Sequence, residues 1–296
     1  MNRVTRFLSV LVIVLFFSVS AFATESGGGA YANGAEGTVT GMLPPPGFYA
    51  INYVNFYRAD SFKDNNGDTL MGGKDFNVTT AVEVLRLLTV TNKTFLGGNF
   101  GSYVLIPVAN VSLTTPAGSQ TKTGLADITV APFLCWHAKN FHWATAMDFV
   151  LPTGAYDEND IANIGRNYYT VEPLVAMTYM ADNGVELSAK LMYDYNTENN
   201  DTNYQSGNEF HIDYTAAYHY KKWTFGLTGY YYQQVTDDEL DGDKIDDFKG
   251  KAMAAGPLVS YSYNPGHFIT VKYQKEFDVE NKPSGEKIWV KALFTF

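Results

Sequence analysis

Val185-Glu186-Leu187-Ser188-Ala189-Lys190-Leu191-Met192-Tyr193-Asp194-Tyr195 is the stretch whose reading decides the fold. Every second residue, Val185, Leu187, Ala189, Leu191, Tyr193 and Tyr195, is apolar or aromatic, and every charge falls on the other set, Glu186, Lys190 and Asp194. A period of two is a β-strand with unlike faces. The stretch 209–220 repeats it, with Phe210, Ile212, Tyr214, Ala216, Tyr218 and Tyr220 against Glu209, His211, Asp213, Thr215 and His219. One such strand fits a soluble sheet. A whole chain of them, with the apolar face aromatic-rich, fits a barrel that is apolar toward lipid and polar toward its lumen.

Twelve runs of this kind occur, at 47–58, 75–91, 98–112, 124–136, 141–151, 168–180, 185–197, 208–221, 223–234, 251–263, 267–277 and 286–296. Short turns (137–140, 181–184, 221–222, 264–266) alternate with polar segments read as long loops (59–74, 113–123, 152–167, 198–207, 235–250, 278–285). Short turns on one side and long loops on the other are the outer-membrane pattern. Trp136, Phe141, Trp143, Tyr179, Tyr218, Tyr220, Trp223, Tyr261 and Tyr263 sit beside the short turns, as an interfacial girdle would. Parity slips around Asn55, Arg86 and Pro107, where either a bulge or a misassigned register accounts for it. The fold class is therefore all-β: a transmembrane, antiparallel, up-and-down β-barrel of about 12 strands.

The ends agree with export. Arg3 and Arg6 precede an apolar run that finishes at Ala21-Phe22-Ala23, a signal peptide over residues 1–23. No later stretch approaches the roughly 18 apolar residues of a helical span. Residues 24–46, rich in Gly and Pro, are either a plug folded into the lumen or a periplasmic leader, and 47–296 form the barrel. The last run places Ile288, Val290, Ala292, Phe294 and Phe296 on one face and Lys287 and Lys291 on the other. A terminal Phe296 on the lipid face is a handle for the barrel-insertion machinery. The expected location is the outer membrane of a Gram-negative bacterium, among its lipid and lipopolysaccharide, with both termini periplasmic.

Inward parity nominates Asp148, Glu172, Glu186, Lys190, Asp194, Glu209, His211, Asp213, Lys272, Glu276, Lys287 and Lys291 as lumen-lining residues, with opposite signs expected to pair across the lumen. His211 and His219 share a face with Glu209 and Asp213 and read as polar lining, not a metal centre, because no compact ligand motif supports them. No catalytic constellation, cofactor site or metal site is expected. Asp237 to Asp247 looks like a calcium loop but has Phe248 where a bidentate Glu belongs, so it reads as a solvated acidic loop. The formal charge of −10 becomes −12 once Arg3 and Arg6 are removed, which excludes nucleic acid as a partner. Cys135, the single cysteine, reads as a small buried side chain.

Glu25-Ser26-Gly27-Gly28-Gly29-Ala30-Tyr31, Asn33-Gly34-Ala35-Glu36-Gly37, Leu43-Pro44-Pro45-Pro46-Gly47, and Asn52-Tyr53 through Asp64-Asn65-Asn66-Gly67 resemble the start of the phenol-degradation meta-pathway family. Gly256 to Tyr261, Lys272-Tyr273 with Glu276, and Glu280-Asn281-Lys282 with Gly285 resemble its closing hairpins. The resemblance implies an outer-membrane barrel and, more loosely, movement of small apolar or aromatic molecules. It implies no catalytic residues. The expected function is a passive channel for such solutes; a non-transporting surface barrel, adhesive or structural, is the alternative.

Overall fold

In the computed structural model, which describes residues 25, 28–264 and 266–295, twelve strands close into one antiparallel barrel. They are β1 (Gly47–Lys63), β2 (Asn77–Phe95), β3 (Gly98–Thr115), β4 (Ile128–His137), β5 (Phe141–Leu151), β6 (Thr170–Met180), β7 (Val185–Asn196), β8 (Glu209–Tyr220), β9 (Trp223–Gln234), β10 (Lys251–Asn264), β11 (His267–Glu280) and β12 (Pro283–Thr295). Each pairs with the next, and β12 closes on β1 from Tyr49↔Thr295 to Arg58↔Glu286. Closure leaves the ladder without a free edge, which a wall in lipid requires. The signal peptide and Phe296 lie outside the described residues.

The faces follow the alternation. Along β7, Glu186, Ser188, Lys190, Met192 and Asp194 are buried, while Val185, Leu187 and Tyr195 are exposed. The girdle residues crowd the short-turn end of the outer surface, where Trp136 stacks on Trp143 at 5.8 Å and Trp223 meets Tyr261 at 4.7 Å. The turn after β2 has both central residues, Leu96 (φ 52°) and Gly97 (φ 77°), in the left-handed region, as a tight two-residue hairpin demands. Cys135 is buried and free.

One alternative is settled and one expectation needs correction. No bulge occurs at Asn55, Arg86 or Pro107: β1 pairs with β2 without interruption from Gly47↔Val90 to Ala59↔Val78, and Val84↔Pro107 sits inside a regular β2–β3 ladder. Nor is 278–285 a long loop, because β11 and β12 run to Glu280 and from Pro283 with a two-residue turn at Asn281 (φ 51°). Strands also enter four of the other five long connections, all but 152–167. Thr69–Gly72 pairs with the end of β1, Gly118–Leu125 folds back on β3, and Glu198–Asn199, Tyr204–Gln205, Asp238–Leu240 and Asp243–Ile245 form a small separate sheet. Beyond the lipid a strand has no need of an apolar outer face, so polar composition does not distinguish it from a loop.

Candidate functional site

The interior has two unlike walls. Asp148 on β5, Glu172 on β6, Glu186, Lys190 and Asp194 on β7, Glu209, His211 and Asp213 on β8, Lys272 and Glu276 on β11, and Lys291 on β12 are all buried; Lys287 on β12 is partly so. The inward side chains of β2 and β3 are instead mainly apolar: Val82, Val84, Leu105, Pro107 and Val111, interrupted by Arg86 and Tyr103. Trp289, 2% exposed, continues this surface onto β12.

The charges do not pair across the open lumen. Lys190 reaches Glu172 at 3.6 Å and Lys287 reaches Glu276 at 3.6 Å, each on the adjacent strand. Tyrosines also serve carboxylates of this wall: Tyr103 donates to Asp148, and Tyr57 (3.0 Å) and Tyr230 both donate to Glu276. Lateral pairing prevails because residues 28–46 occupy the space between the walls, and that segment supplies the transverse links.

Its docking is specific. Asp213 accepts from Tyr31 Oη at 2.7 Å, Gly34 N at 2.8 Å and Glu36 N at 2.9 Å. Lys272 Nζ donates to the carbonyls of Gly34, Ala35 and Glu36, so one turn of backbone is held by an anion on its N–H side and a cation on its C=O side. The Glu36 carboxylate joins Arg86 of β2 at 3.2 Å to Lys291 of β12 at 2.7 Å. Burial alone would raise the Glu36 carboxyl; Lys291, Arg86 and Lys190 outweigh it and hold the group well below the usual carboxylate range. Further along, Val39 N donates to Glu186 and Gly41 N to Thr178 Oγ1 at 2.9 Å. Leu43 packs on the apolar cluster that includes Tyr49, Phe133, Leu174 and Leu293.

Gly41 lies against the wall so closely that a Cβ there would stand 2.6 Å from the Cα and carbonyl carbon of Met177. Backbone cannot yield as a side-chain tip can. Gly41→Val should therefore lift the segment off β6, at a cost of about 1–3 kcal/mol, or roughly ten- to hundredfold in docking. Limited proteolysis of the N-terminal segment in the folded barrel measures this; unchanged protection would contradict the contact.

Above the docked segment lies a cavity of about 370 Å³. Its floor is formed by Tyr31, Asn33 and Glu36, one side by Val82, Val84, Leu105, Pro107 and Val111, and the other by Asp148, Glu172, Lys190, Glu276 and Lys287. The loop 152–167 bends over it. Asp127 pins both ends of that loop, accepting from Gly154 N at 2.8 Å and Arg166 N at 2.7 Å, and Ala162 packs with Phe62, Phe76 and Leu113. At one side of the cavity the wall forks. β3 stays with β4 only as far as Leu105↔Thr129 and beyond this pairs with Gly118–Leu125 from Val108↔Leu125 onward. Pro107 and Ala126, at the fork, both line the cavity.

The charges that parity nominated lie inside the barrel, together with Arg86, Glu36, the tyrosines and an apolar wall that parity did not nominate. Arg86 did leave a signal, since it was one of the apparent parity slips. The acidic segment 237–247 is less uniformly solvated than expected: Asp238 is 1% exposed and accepts from Tyr204 Oη at 2.6 Å and Gly207 N at 2.6 Å.

Among solved structures, the barrel is similar to the COG4313 outer membrane channel from Pseudomonas putida F1, at 18% identity over 86% of this chain and 97% of that one, with a TM-score of 0.77. The translocator domain of the autotransporter NalP from Neisseria meningitidis aligns at 9% identity over 86% and 90% of the two chains, with a TM-score of 0.49. No curated protein sequence matches. The family model described as "Putative MetA-pathway of phenol degradation" matches residues 59–292, and the chain belongs to that family.

Proposed function

We propose that the chain is an outer-membrane channel through which small apolar or aromatic molecules pass by way of the lumen cavity. The observation that carries this reading is the cavity itself. At about 370 Å³ it lies within the roughly 300–1,000 Å³ of small-ligand pockets, and one of its walls is apolar inside a lumen otherwise lined by charge. A pore for ions or sugars has no use for Val84, Leu105 and Val111 on its inner face; a monoaromatic ring does. The exposed apolar outer face and the aromatic girdle support an outer-membrane location, with the short turns on the periplasmic side and lipid and lipopolysaccharide around the wall. The C-terminal strand, with Ile288 and Phe294 exposed, offers the barrel-insertion machinery its handle. The exit this reading assigns to the solute is the fork beside Pro107 and Ala126, where the cavity meets the change of strand partner.

The test is flux into proteoliposomes across a panel of monoaromatic, aliphatic and sugar solutes. Aromatic solutes should enter fastest. Val82→Asp, which sets a charge on the apolar wall between Asn55 and Ala109 at about 1–3 kcal/mol, should slow them by roughly tenfold or more while the barrel remains folded. Equal entry of sugars and aromatics, or no entry of either, would overturn the reading.

A further inference from the structure

Beside the proposed solute path lies a cluster that parity alone would count as lining. β7 and β8 pair so that Asp194 stands directly opposite Glu209, two carboxylates at one cross-strand position, both 0% exposed. Like charges directly opposite each other destabilise a sheet, so burial of this pair calls for a counter-charge. His211, two residues along the same face and also 0% exposed, brings Nε2 to 3.2 Å from Asp194 Oδ2 and 3.6 Å from Glu209 Oε2. One ligand-capable atom from each of the three lies within 4.8 Å of the others. Among the described residues, both Asp194 oxygens, Glu209 Oε2 and His211 Nε2 have no hydrogen-bond partner.

The outward-turned atoms of two of these groups, His211 and Glu209, are engaged. His211 Nδ1 lies 2.7 Å from the amide oxygen of Asn33, an acceptor, so Nδ1 carries the proton and Nε2 presents a lone pair in the neutral ring. Glu209 Oε1 accepts from Tyr232 Oη at 2.6 Å, which leaves Oε2 turned toward the histidine. Ligands held from behind with their free atoms converging are how metal centres are oriented. For bonds of about 2.0–2.1 Å in a tetrahedral site, neighbouring ligand atoms stand roughly 3.3 Å apart, which brackets well with the two spacings here.

We infer that Asp194, Glu209 and His211 bind one divalent transition-metal cation of the zinc type, and that its occupancy fastens the N-terminal segment in the lumen. One imidazole and two carboxylates suit zinc better than calcium or magnesium, which prefer all-oxygen sets. The cation and two carboxylates sum to zero charge, which removes the repulsion between Asp194 and Glu209. The lid over the site is the segment itself: Asn33 holds the histidine, and a Cβ on Gly29 would fall 2.6 Å from Glu209 Oε2. A bound metal is thereby sealed, a structural centre with slow exchange, and its loss loosens Asn33.

The experiment uses the full mature barrel, chelator-treated, then dialysed against Zn²⁺ and assayed by elemental analysis and calorimetry, with folding followed by heat-modifiable gel mobility. Expected are one zinc per chain, no comparable retention of Ca²⁺ or Mg²⁺, and at least a hundredfold weaker binding in Asp194→Asn, an isosteric change. Asn33→Ala should weaken binding about tenfold. Removing residues 24–46 should speed stripping by chelator, and zinc should protect the N-terminal segment of the intact chain from protease. No stoichiometric zinc in the wild type, or undiminished zinc in folded Asp194→Asn, would overturn the assignment. These readouts involve no solute flux, so they stand or fall apart from the channel reading.

Discussion

Removal of residues 24–46 is expected to raise the single-channel conductance of the reconstituted barrel by on the order of tenfold, because conductance follows the free cross-section of the narrowest zone. In that zone the segment is fixed at three levels: the Asp213–Lys272 clamp on Gly34 to Glu36, the Glu36 bridge from Arg86 to Lys291, and the seat of Gly41 against β6. Nearer the short turns, Leu43 lies among Tyr49, Phe133 and Leu174, leaving little room for water. Without the segment these positions open. Arg86, Asp213, Lys272 and Lys291 are then hydrated by the lumen, so the deletion does not strand them as buried charges. The barrel should stay folded, since its closure rests on the β1–β12 ladder, to which residues 28–46 contribute no strand. Planar-bilayer recordings of intact and truncated protein decide the matter. Equal conductance would show that the segment does not set the constriction.

How legible this was in the sequence depended on what each wall faces. β7 and β8 could be read residue by residue because lipid lies on one side and charge on the other. β2 and β3 could not, because Val82, Val84 and Leu105 face inward while Leu85, Leu87 and Ile106 face outward, and two apolar faces leave no alternation to detect. The one outward carboxylate there, Glu83, is met by Asn52 Nδ2 at 2.8 Å, which further blurred the parity. An apparent register slip was thus the trace of the apolar wall, the part of the interior most tied to function. The turn at Asn281 was hidden for a different reason. Asp278 and Glu280 look like loop residues, yet both pair with Lys251 of β10, at 2.9 and 3.2 Å, across strands that continue past the apolar zone. Glu36 was not legible at all: its partners Arg86 and Lys291 lie 50 and 255 residues away in sequence, and only barrel closure brings them to the same point.

That convergence makes Glu36→Gln the most damaging single change expected in the segment. The amide keeps the shape but leaves Arg86 and Lys291 as buried cations without a counter-charge, and breaking a buried pair from one side costs about 3–5 kcal/mol. The cheapest relief is undocking, which lets water reach both cations, so the undocked population should grow by about a hundred- to a thousandfold or more. Protease sensitivity of the N-terminal segment should rise accordingly, and conductance should move toward that of the truncated barrel. Adding Lys291→Met to Glu36→Gln removes a stranded cation together with its partner and should recover much of the docking, which simple loss of packing at residue 36 would not permit. The pH dependence follows from the direction of the shift. A carboxyl held below its free value contributes docking energy that is fully present above the free value, about 4.3, and is lost as pH falls through the lowered docked value. Protection of the segment in the wild type should therefore be flat from pH 8 to about pH 5 and decline only in stronger acid. A midpoint near pH 6 would place control of docking on some other group and refute the role given to Glu36.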